Sequence, residues 1–192
     1  YPVGREIWLQ YRQCGEQLDA ITQSGDTVYL VGLQAPLASH WSVLYQAEVV
    51  QMIYDAKPRL VKTQFTTERL SYKQIADMMK LTGVAYSGFF RERTHELGEF
   101  YGIRVAGELI SMLGTRMQFG PYCEITTICT HPAHTGKGYS SQLLTEMINR
   151  IVAQGRQPFL HVDRSNEHAI KIYQHSGFRE FNSVPMRKIK RD

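Results

Sequence analysis

Residues 129–140 read CTHPAHTGKGYS, and the segments on either side of this stretch decide the fold. The segment before it, residues 122–128, is rich in β-branched side chains, a composition typical of a strand. The segment after it repeats apolar residues with the period of an amphipathic helix, namely Leu143, Leu144, Met147, Ile148, Ile151 and Val152. The sequence therefore predicts a strand, a turn with two glycines, and a helix that begins directly after the turn.

A helix that follows a glycine-containing turn can bind phosphate groups at its N-terminus. Its first N–H groups have no partner inside the helix, and the helix dipole adds partial positive charge there. Gly136 and Gly138 lack the side chains that would keep a pyrophosphate away from the backbone. We therefore expect a nucleotide-like cofactor at this turn.

Two common phosphate-binding motifs do not fit this turn. A P-loop requires Gly five positions before its Gly-Lys pair and Ser or Thr directly after it, but His131 and Gly138 occupy these positions. The dinucleotide-binding fingerprint requires a third Gly at the position that Ser141 occupies. Both motifs are therefore excluded.

The turn resembles the pyrophosphate loop of the GNAT superfamily, the acetyl-coenzyme A dependent N-acetyltransferases. Residues 130–132 supply the family's lead-in, Thr-His-Pro, and residues 136–138 supply its core, Gly-Lys-Gly. Two positions differ, since Thr135 stands where the family usually has Arg or Gln, and Ser140 where it has Gly or Ala. Because backbone N–H groups hold the phosphates, we expect binding to persist with somewhat altered affinity.

A second motif strengthens the resemblance. Residues 166–178 read NEHAIKIYQHSGF and match the family segment Asn-x-x-Ala-x-x-x-Tyr-x-x-x-Gly-Phe at every named position. Asn166 is a good N-cap, and Gly177 suits the position after the end of a helix. The resemblance covers roughly residues 60–189 and is closest to a bacterial branch of predicted acetyltransferases.

The resemblance implies an α/β (α+β) fold with a mixed, mostly antiparallel central sheet and helices on both faces. We assign residues 58–192 to the acetyltransferase domain and residues 1–57 to an N-terminal extension or small accessory lobe. Within the extension, residues 27–33 and 47–54 are predicted strands, and residues 41–45 are undecided. This extension could also be a partial repeat or a dimer surface, so a homodimer is one expectation.

Further elements follow from local patterns in the acetyltransferase domain. We predict a hairpin turn at Ala106-Gly107, and Pro185 indicates an edge position for the last strand. The other predicted elements are a strand at 60–65, a helix at 68–81, strands at 99–104, 108–118 and 158–162, and two terminal strands at 178–183 and 184–189.

Composition narrows the class of protein. With 43% hydrophobic and 21% charged residues, the 192-residue chain is typical of a globular protein, and no apolar run is long enough to span a membrane. Three cysteines without framework spacing, Cys14, Cys123 and Cys129, indicate a reducing compartment, and we predict a cytoplasmic location. Only residues 187–191 are strongly basic, so we expect neither a nucleic-acid nor a membrane partner.

The resemblance also implies which residues bind and react. A bulge in the strand before the loop is expected to free backbone N–H groups towards the thioester. The implied cofactor-binding residues are Ile128, Cys129, Thr130, Thr135, Gly136, Lys137, Gly138, Tyr139, Ser140 and Asn166. Tyr173 matches the family's general acid near the leaving sulfur, although its ring could instead serve only for packing.

Acyl transfer also needs a proton acceptor for the attacking amine. Glu124 is the first candidate because it lies on the same strand as Ile128 and nominally on the same face, although a surface ion pair would explain it equally well. His131 and His161 are alternatives, because imidazoles titrate near neutral pH. Zinc is not expected, since the spacings of Cys123, Cys129, His131 and His134 are not those of structural zinc sites.

The sequence thus predicts direct transfer of an acetyl group from acetyl-coenzyme A to a small-molecule or peptide amine. Two alternatives stay open. One is an N-acyltransferase with another acyl-coenzyme A, similar to glycine N-acyltransferases; the other is a non-catalytic acyl-coenzyme A-binding module. We expect the acceptor pocket to involve the loop around residues 83–90 and the terminal strands.

Overall fold

The computed structural model describes residues 6–9, 15–32, 36–86 and 88–192, which form one nine-stranded sheet with four α-helices. The strands are β1 (Glu6–Leu9), β2 (Thr27–Val31), β3 (Trp41–Tyr54), β4 (Thr67–Leu70), β5 (Phe100–Val105), β6 (Glu108–Phe119), β7 (Tyr122–Thr130), β8 (Gln157–Asp163) and β9 (Phe178–Arg191). The helices are α1 (Gly15–Ile21), α2 (Ile75–Ala85), α3 (Tyr139–Ala153) and α4 (Glu167–His175). Cys14, Leu33 and Ser87, which belong to segments interpreted above, lie outside the described residues.

The sheet is mixed and mostly antiparallel, in the order β1-β2-β9-β3-β8-β7-β6-β5-β4. Only the pairs β1–β2 and β7–β8 are parallel within the described sheet. The predicted fold class is confirmed. No helix in the described ranges is both long and apolar enough to cross a membrane.

Helices cover both faces of the sheet because β6 buries side chains on both sides. Ile110 and Leu113 of β6 pack in the core that contains the apolar stripe of α3. Leu109 and Met112 point to the other face, where they pack with Met78 and other residues of α2. The register with β5 shifts between Leu109 and Ser111, so the alternation of side chains changes face at this irregularity.

Strand β3 lies in the interior of the sheet, although it comes from the N-terminal part of the chain. It pairs with β8 along one edge and with β9 along the other. Residues 41–45, left undecided from the sequence, form the first part of β3 and continue into residues 47–54 as one strand. The sheet therefore runs across the predicted boundary at residue 57, and residues 41–54 belong to the same sheet as the acetyltransferase motifs.

The C-terminus differs from its prediction, because residues 178–191 form one strand, β9, that lies between β2 and β3. The edge position predicted from Pro185 is wrong. Val31 and Met186 are the last paired residues of β2, so Pro185 lies where that ladder ends. The Gly32 N–H donates to the Pro185 carbonyl at 2.8 Å. Proline has no N–H to donate in return, but β2 has already ended at this position, so its ladder with β9 loses no hydrogen bond.

Two other element predictions are wrong. Residues 60–65 form no strand. Instead, Oε1 of Gln142 in α3 accepts hydrogen bonds from the N–H groups of Gln64 and Phe65, at 2.9 and 3.1 Å. The helix predicted at 68–81 begins only at Ile75, because residues 67–70 pair with β5 as strand β4. Pairing with a neighbouring strand has overridden local propensity there.

The remaining local predictions are confirmed. Ala106 and Gly107 form the turn between β5 and β6 with φ of 50° and 82°, as a two-residue hairpin turn requires. Helices α3 and α4 and strand β8 lie where the sequence predicts them.

Candidate active site

The candidate site is an opening in the sheet where β7 and β8 part. The two parallel strands pair only at their beginning, and Glu124 and Phe159 are the last pair. Beyond this pair, a cavity of about 340 Å³ extends between the strands. It reaches Ile128 of β7, His161 of β8 and Tyr173 of α4. A gap between central strands allows a ligand to contact backbone and side chains on both faces of the sheet.

A bulge in β7 confirms the expected irregularity before the loop. Met112 pairs with Cys129 and Gly114 pairs with Thr126, so β7 has one more residue than β6 in this interval. Thr127, inside the interval, has a φ of 53°, which is uncommon for a β-branched residue. The bulge lies on the wall of the cavity, where it interrupts the ladder to β6.

The bulge also reverses which face of the sheet the β7 side chains occupy. Ile125 lies in the core under α3 and Ile128 packs against it, whereas Cys129 lies under α2. Glu124 points to the face opposite Ile125, so Glu124 and Ile128 do not share a face as nominal alternation predicted. The Cys129 side chain, implied above to bind the cofactor, is instead buried, and burial raises the pKa of its thiol to about 12.

The same reversal separates the residues considered for zinc. Cys123 and Cys129 are free thiols buried on opposite faces of the sheet. His131 accepts the Ala133 N–H at 3.2 Å within the turn that precedes the loop. Among the described residues, no group of three or more His, Cys, Asp or Glu side chains is placed to hold a metal ion.

The loop before α3 has the geometry of an anion cradle. Gly138 is the N-cap residue of α3, with a φ of 89° and no side-chain cap. A Cβ atom built on Gly136 or Gly138 would meet no atom within 4 Å, so the loop surface is open. Thr135 and Lys137 are exposed beside it. The uncapped N–H groups, the helix dipole and the Lys137 ammonium group fit a pyrophosphate.

Tyr139 can contribute to this cradle only through its backbone. Its ring is buried and packs on Phe65, with ring centroids 4.2 Å apart. Ser140 is half-buried in the first turn of α3. Thr130 lies at the end of β7, where its hydroxyl oxygen is 2.8 Å from the Ser111 hydroxyl.

Glu124 lies at the centre of a buried group of charges on the cavity wall. Arg116 of β6 donates to both of its carboxylate oxygens, with N–O distances of 2.8 and 2.6 Å. Nδ1 of His161 lies 2.8 Å from Oε1 of Glu124, and Nε2 of His161 lies 3.0 Å from Nε2 of Gln51. The Glu124 side chain is 1% exposed, so this is not the surface ion pair considered above.

The charges around Glu124 keep it ionised. Burial alone would raise the pKa of this carboxyl group, but the Arg116 guanidinium and the hydrogen bonds from His161 and Arg116 lower the pKa to about 2. At neutral pH the group is therefore a carboxylate that accepts a proton unfavourably. His161 lies on the same network, with Nδ1 at Glu124 and Nε2 at Gln51.

Tyr173 faces the cavity from α4 on the other side of the opening. Its ring packs edge-on against Phe178, with ring centroids 6.2 Å apart. No group in the described part of the chain hydrogen-bonds to its hydroxyl. Burial raises the pKa of Tyr173, so the phenol is protonated and free to donate. Asn166 stands at the start of the same helix. It caps α4 by accepting a hydrogen bond from the Ala169 N–H at 3.1 Å, and it also lines the cavity.

Sequence reasoning missed two residues of this site. Arg116 is the one charged residue of β6 after its first residue, and its cross-strand partner Glu124 has the opposite charge, a signal visible only once β6 and β7 are paired. Tyr86, just after α2, lines the cavity, and burial raises its pKa to about 12. It lies in the loop around residues 83–90, where the acceptor pocket was expected.

Known proteins resemble the chain in both sequence and fold. A family described as FR47-like protein matches residues 100–185. An uncharacterized protein from Mycobacterium leprae is 31% identical over 102 residues, which are 52% of this chain. The chain spans only 28% of that curated relative's length.

Two crystal structures show the same architecture. A GNAT-family protein from Novosphingobium aromaticivorans is 27% identical, with a TM-score of 0.82 over 92% of this chain and 79% of the other. The ribosomal-protein-S18-alanine N-acetyltransferase from Escherichia coli is 17% identical, with a TM-score of 0.56 over 65% of this chain and 92% of that enzyme. The second likeness is one of fold alone.

Proposed function

This chain belongs to the GNAT superfamily, and we propose that it transfers an acetyl group from acetyl-coenzyme A directly to a primary amine. The observation that carries the proposal is the opening between β7 and β8. An anion cradle lies before α3, and a protonated phenol faces a buried Glu–His pair across the cavity.

Each part of the site has a role in this proposal. Backbone N–H groups at residues 136–140 and the Lys137 side chain hold the pyrophosphate, and the β7 segment at Ile128 and Thr130 lines the path of the pantetheine arm. Acetyl-coenzyme A supplies a thioester that an unprotonated amine can attack. One C–N bond forms and one C–S bond breaks, so one proton must leave the amine and one must reach the sulfur.

We assign the two protons to opposite sides of the cavity. The amine proton passes, directly or through water, to Nε2 of His161 once the Gln51 amide has turned away from it, and Glu124 holds the resulting imidazolium in place through Nδ1 by its charge. In this scheme Glu124 is a positioning residue, because its lowered pKa makes it a poor acceptor by itself. Tyr173 gives its phenolic proton to the sulfur, since its raised pKa keeps it protonated until the thiolate forms.

The first test is calorimetric titration of the protein with acetyl-coenzyme A, coenzyme A and a longer acyl-coenzyme A. We expect binding in the micromolar range with a preference for the acetyl form. Preference for the longer acyl chain would instead support an acyltransferase of different specificity. Binding without turnover of any amine would support a non-catalytic module, and absence of binding would contradict the proposal.

The second test is Tyr173→Phe, which removes only the phenolic hydroxyl. We expect kcat to fall by about 100-fold and the affinity for acetyl-coenzyme A to stay unchanged, since the hydroxyl acts only when the sulfur leaves. Tyr72→Phe is the matched control, because Tyr72 is 67% exposed and is not one of the residues that line the cavity. An unchanged kcat in Tyr173→Phe would remove Tyr173 from the mechanism.

A further inference from the structure

The cavity continues past Glu124 to a wall formed by β2, β3 and β9. Val31 of β2, Val49 of β3 and Met186 of β9 line it there. They form one apolar cluster and are 5%, 3% and 6% exposed. Because these three side chains are apolar, this part of the wall favours an uncharged apolar group.

Aromatic rings complete the slot on the side of α2. Tyr86 and Phe89 line the cavity, with ring centroids 5.2 Å apart. Phe89 packs in turn on Tyr29 of β2, with ring centroids 5.3 Å apart. Phe89 also packs against the aliphatic cluster, so aromatic and aliphatic side chains meet here, and a planar ring would have favourable contacts with both.

The charges on the cavity leave one carboxylate without a cationic partner. Glu124 is compensated by Arg116 and also contacts His161. Asp163 accepts the Tyr45 hydroxyl at 2.7 Å, and its other oxygen accepts the N–H of Ser165 at 2.8 Å, so its hydrogen-bond partners are neutral. Of the two carboxylates among the described lining residues, only Asp163 keeps an uncompensated charge, which fits an acceptor with a single amino group.

Size points in the same direction. The whole cavity of about 340 Å³ must hold the acyl end of the donor and the acceptor together, which is near the lower end of the range for ligand pockets. We propose that the acceptor is a primary monoamine on a compact aromatic body, with its ring against the Val49 wall and beside the Tyr86–Phe89 pair. This inference rests on the proposed acetyl transfer and specifies its substrate class.

The test compares 2-phenylethylamine, spermidine and a short peptide with a free N-terminal alanine as acceptors. We expect kcat/KM for 2-phenylethylamine to exceed that of the other two by about tenfold or more. A preference for spermidine or the peptide, or equal values for all three, would overturn the assignment while leaving acetyl transfer itself intact.

A binding measurement keeps the inference testable without turnover. Calorimetry of 2-phenylethylamine with the coenzyme A-saturated protein should show saturable binding, and none with spermidine. If acetyl-coenzyme A binds but 2-phenylethylamine neither binds nor reacts, the acceptor assignment is wrong. If acetyl-coenzyme A itself does not bind, the proposed function fails first, and that result is separately visible.

A matched pair of variants locates the ring in the slot. Phe89→Ala removes one aromatic side chain of the lining, and we expect the ratio of KM for 2-phenylethylamine to KM for ethylamine to rise by about tenfold. Phe181→Ala is the control, because Phe181 is 65% exposed in a separate groove beside Phe119. Equal effects of the two variants, or no effect of Phe89→Ala, would contradict the placement.

Discussion

Residues 122–178 and residues 27–54 build opposite sides of the same cavity by different means. The first region makes its side from local motifs: a bulged strand, a glycine turn and two helix N-termini. The second region makes its side from strands whose positions depend on partners more than 100 residues away, such as Val49 opposite Asp163. The side of the cavity with the glycine loop is therefore encoded in local sequence, whereas the side formed by residues 27–54 is encoded in how distant segments pair.

Gly138→Val should give the largest effect and should act only on the donor side. The φ of 89° strains a β-branched residue, and the new side chain would occupy the open cradle, so we expect affinity for acetyl-coenzyme A to fall by about 100-fold or more. Gly155→Val is the matched control, since Gly155 follows the other end of α3 with a φ of 71° and equally open surroundings. Calorimetry should show unchanged affinity in the control; equal losses in both variants would mean that the loop is misassigned.

Glu124→Gln should lower the free energy of unfolding, because it removes the charge at the centre of the buried ion cluster between the two regions. The folded pKa of about 2 lies below the ordinary 4.5, so ionised Glu124 contributes about 3 kcal/mol to the free energy of unfolding above pH 4.5. That contribution is lost as the pH falls from 4.5 towards 2, so urea denaturation should show the two proteins converging in stability as the pH is lowered.

The control for this variant is Glu108→Gln. Glu108 pairs with Lys80 on the surface, where an ion pair contributes only about 0–1 kcal/mol. Turnover should also separate the two variants, because only Glu124 positions His161. A Glu124→Gln protein with wild-type stability at pH 7 would contradict the buried ion cluster.

Val49→Ala and Val50→Ala sharpen the comparison within a single strand. The two neighbours are 3% and 0% exposed on opposite faces of β3, so each substitution should destabilise the fold by about 1–2 kcal/mol. Only Val49 lines the cavity, and only its variant should raise KM for the amine by several-fold. Steady-state kinetics would contradict the acceptor wall if both variants changed KM alike.

Cys129→Ala should give the smallest effect. The thiol is buried on the α2 face with its pKa raised to about 12, so it is not a nucleophile, and kcat should change by less than about threefold. Cys123→Ala, another buried thiol but on the α3 face, is the control. A loss of about 100-fold in Cys129→Ala alone would contradict direct transfer and indicate an acetyl-cysteine intermediate.

The accuracy of the sequence-based predictions follows the same division. The loop at residues 136–138, the Asn166 cap and the Ala106-Gly107 turn depend on backbone conformations that neighbouring residues impose, and each has its predicted form. The Arg116–Glu124 pair joins two strands across an irregular register, so no spacing in the sequence announces it.

Elements decided by distant pairing were predicted less well. The position of β3 between β8 and β9 cannot be read from residues 41–54, because their alternation is compatible with any neighbour. Pro185 correctly indicated a position where one ladder hydrogen bond is absent. The bond is absent because β2 is short and its ladder with β9 ends there, and not because β9 lies at the edge of the sheet. The strand predicted at 60–65 does not form, because the Gln142 side chain, rather than a neighbouring strand, accepts hydrogen bonds from its backbone N–H groups.

The interior position of β3 has a consequence for biosynthesis. Strand β3 leaves the ribosome before both of its neighbours, residues 157–163 and 178–191, which follow only after β4 to β7. A 14-residue strand with both edges unpaired must therefore wait for these segments, which predicts slow folding and exposure to aggregation or chaperones before β9 arrives. Since Val49 and Met186 come together only when β9 has docked, a nascent chain could form the glycine loop before α3 well before it completes the far wall of the cavity.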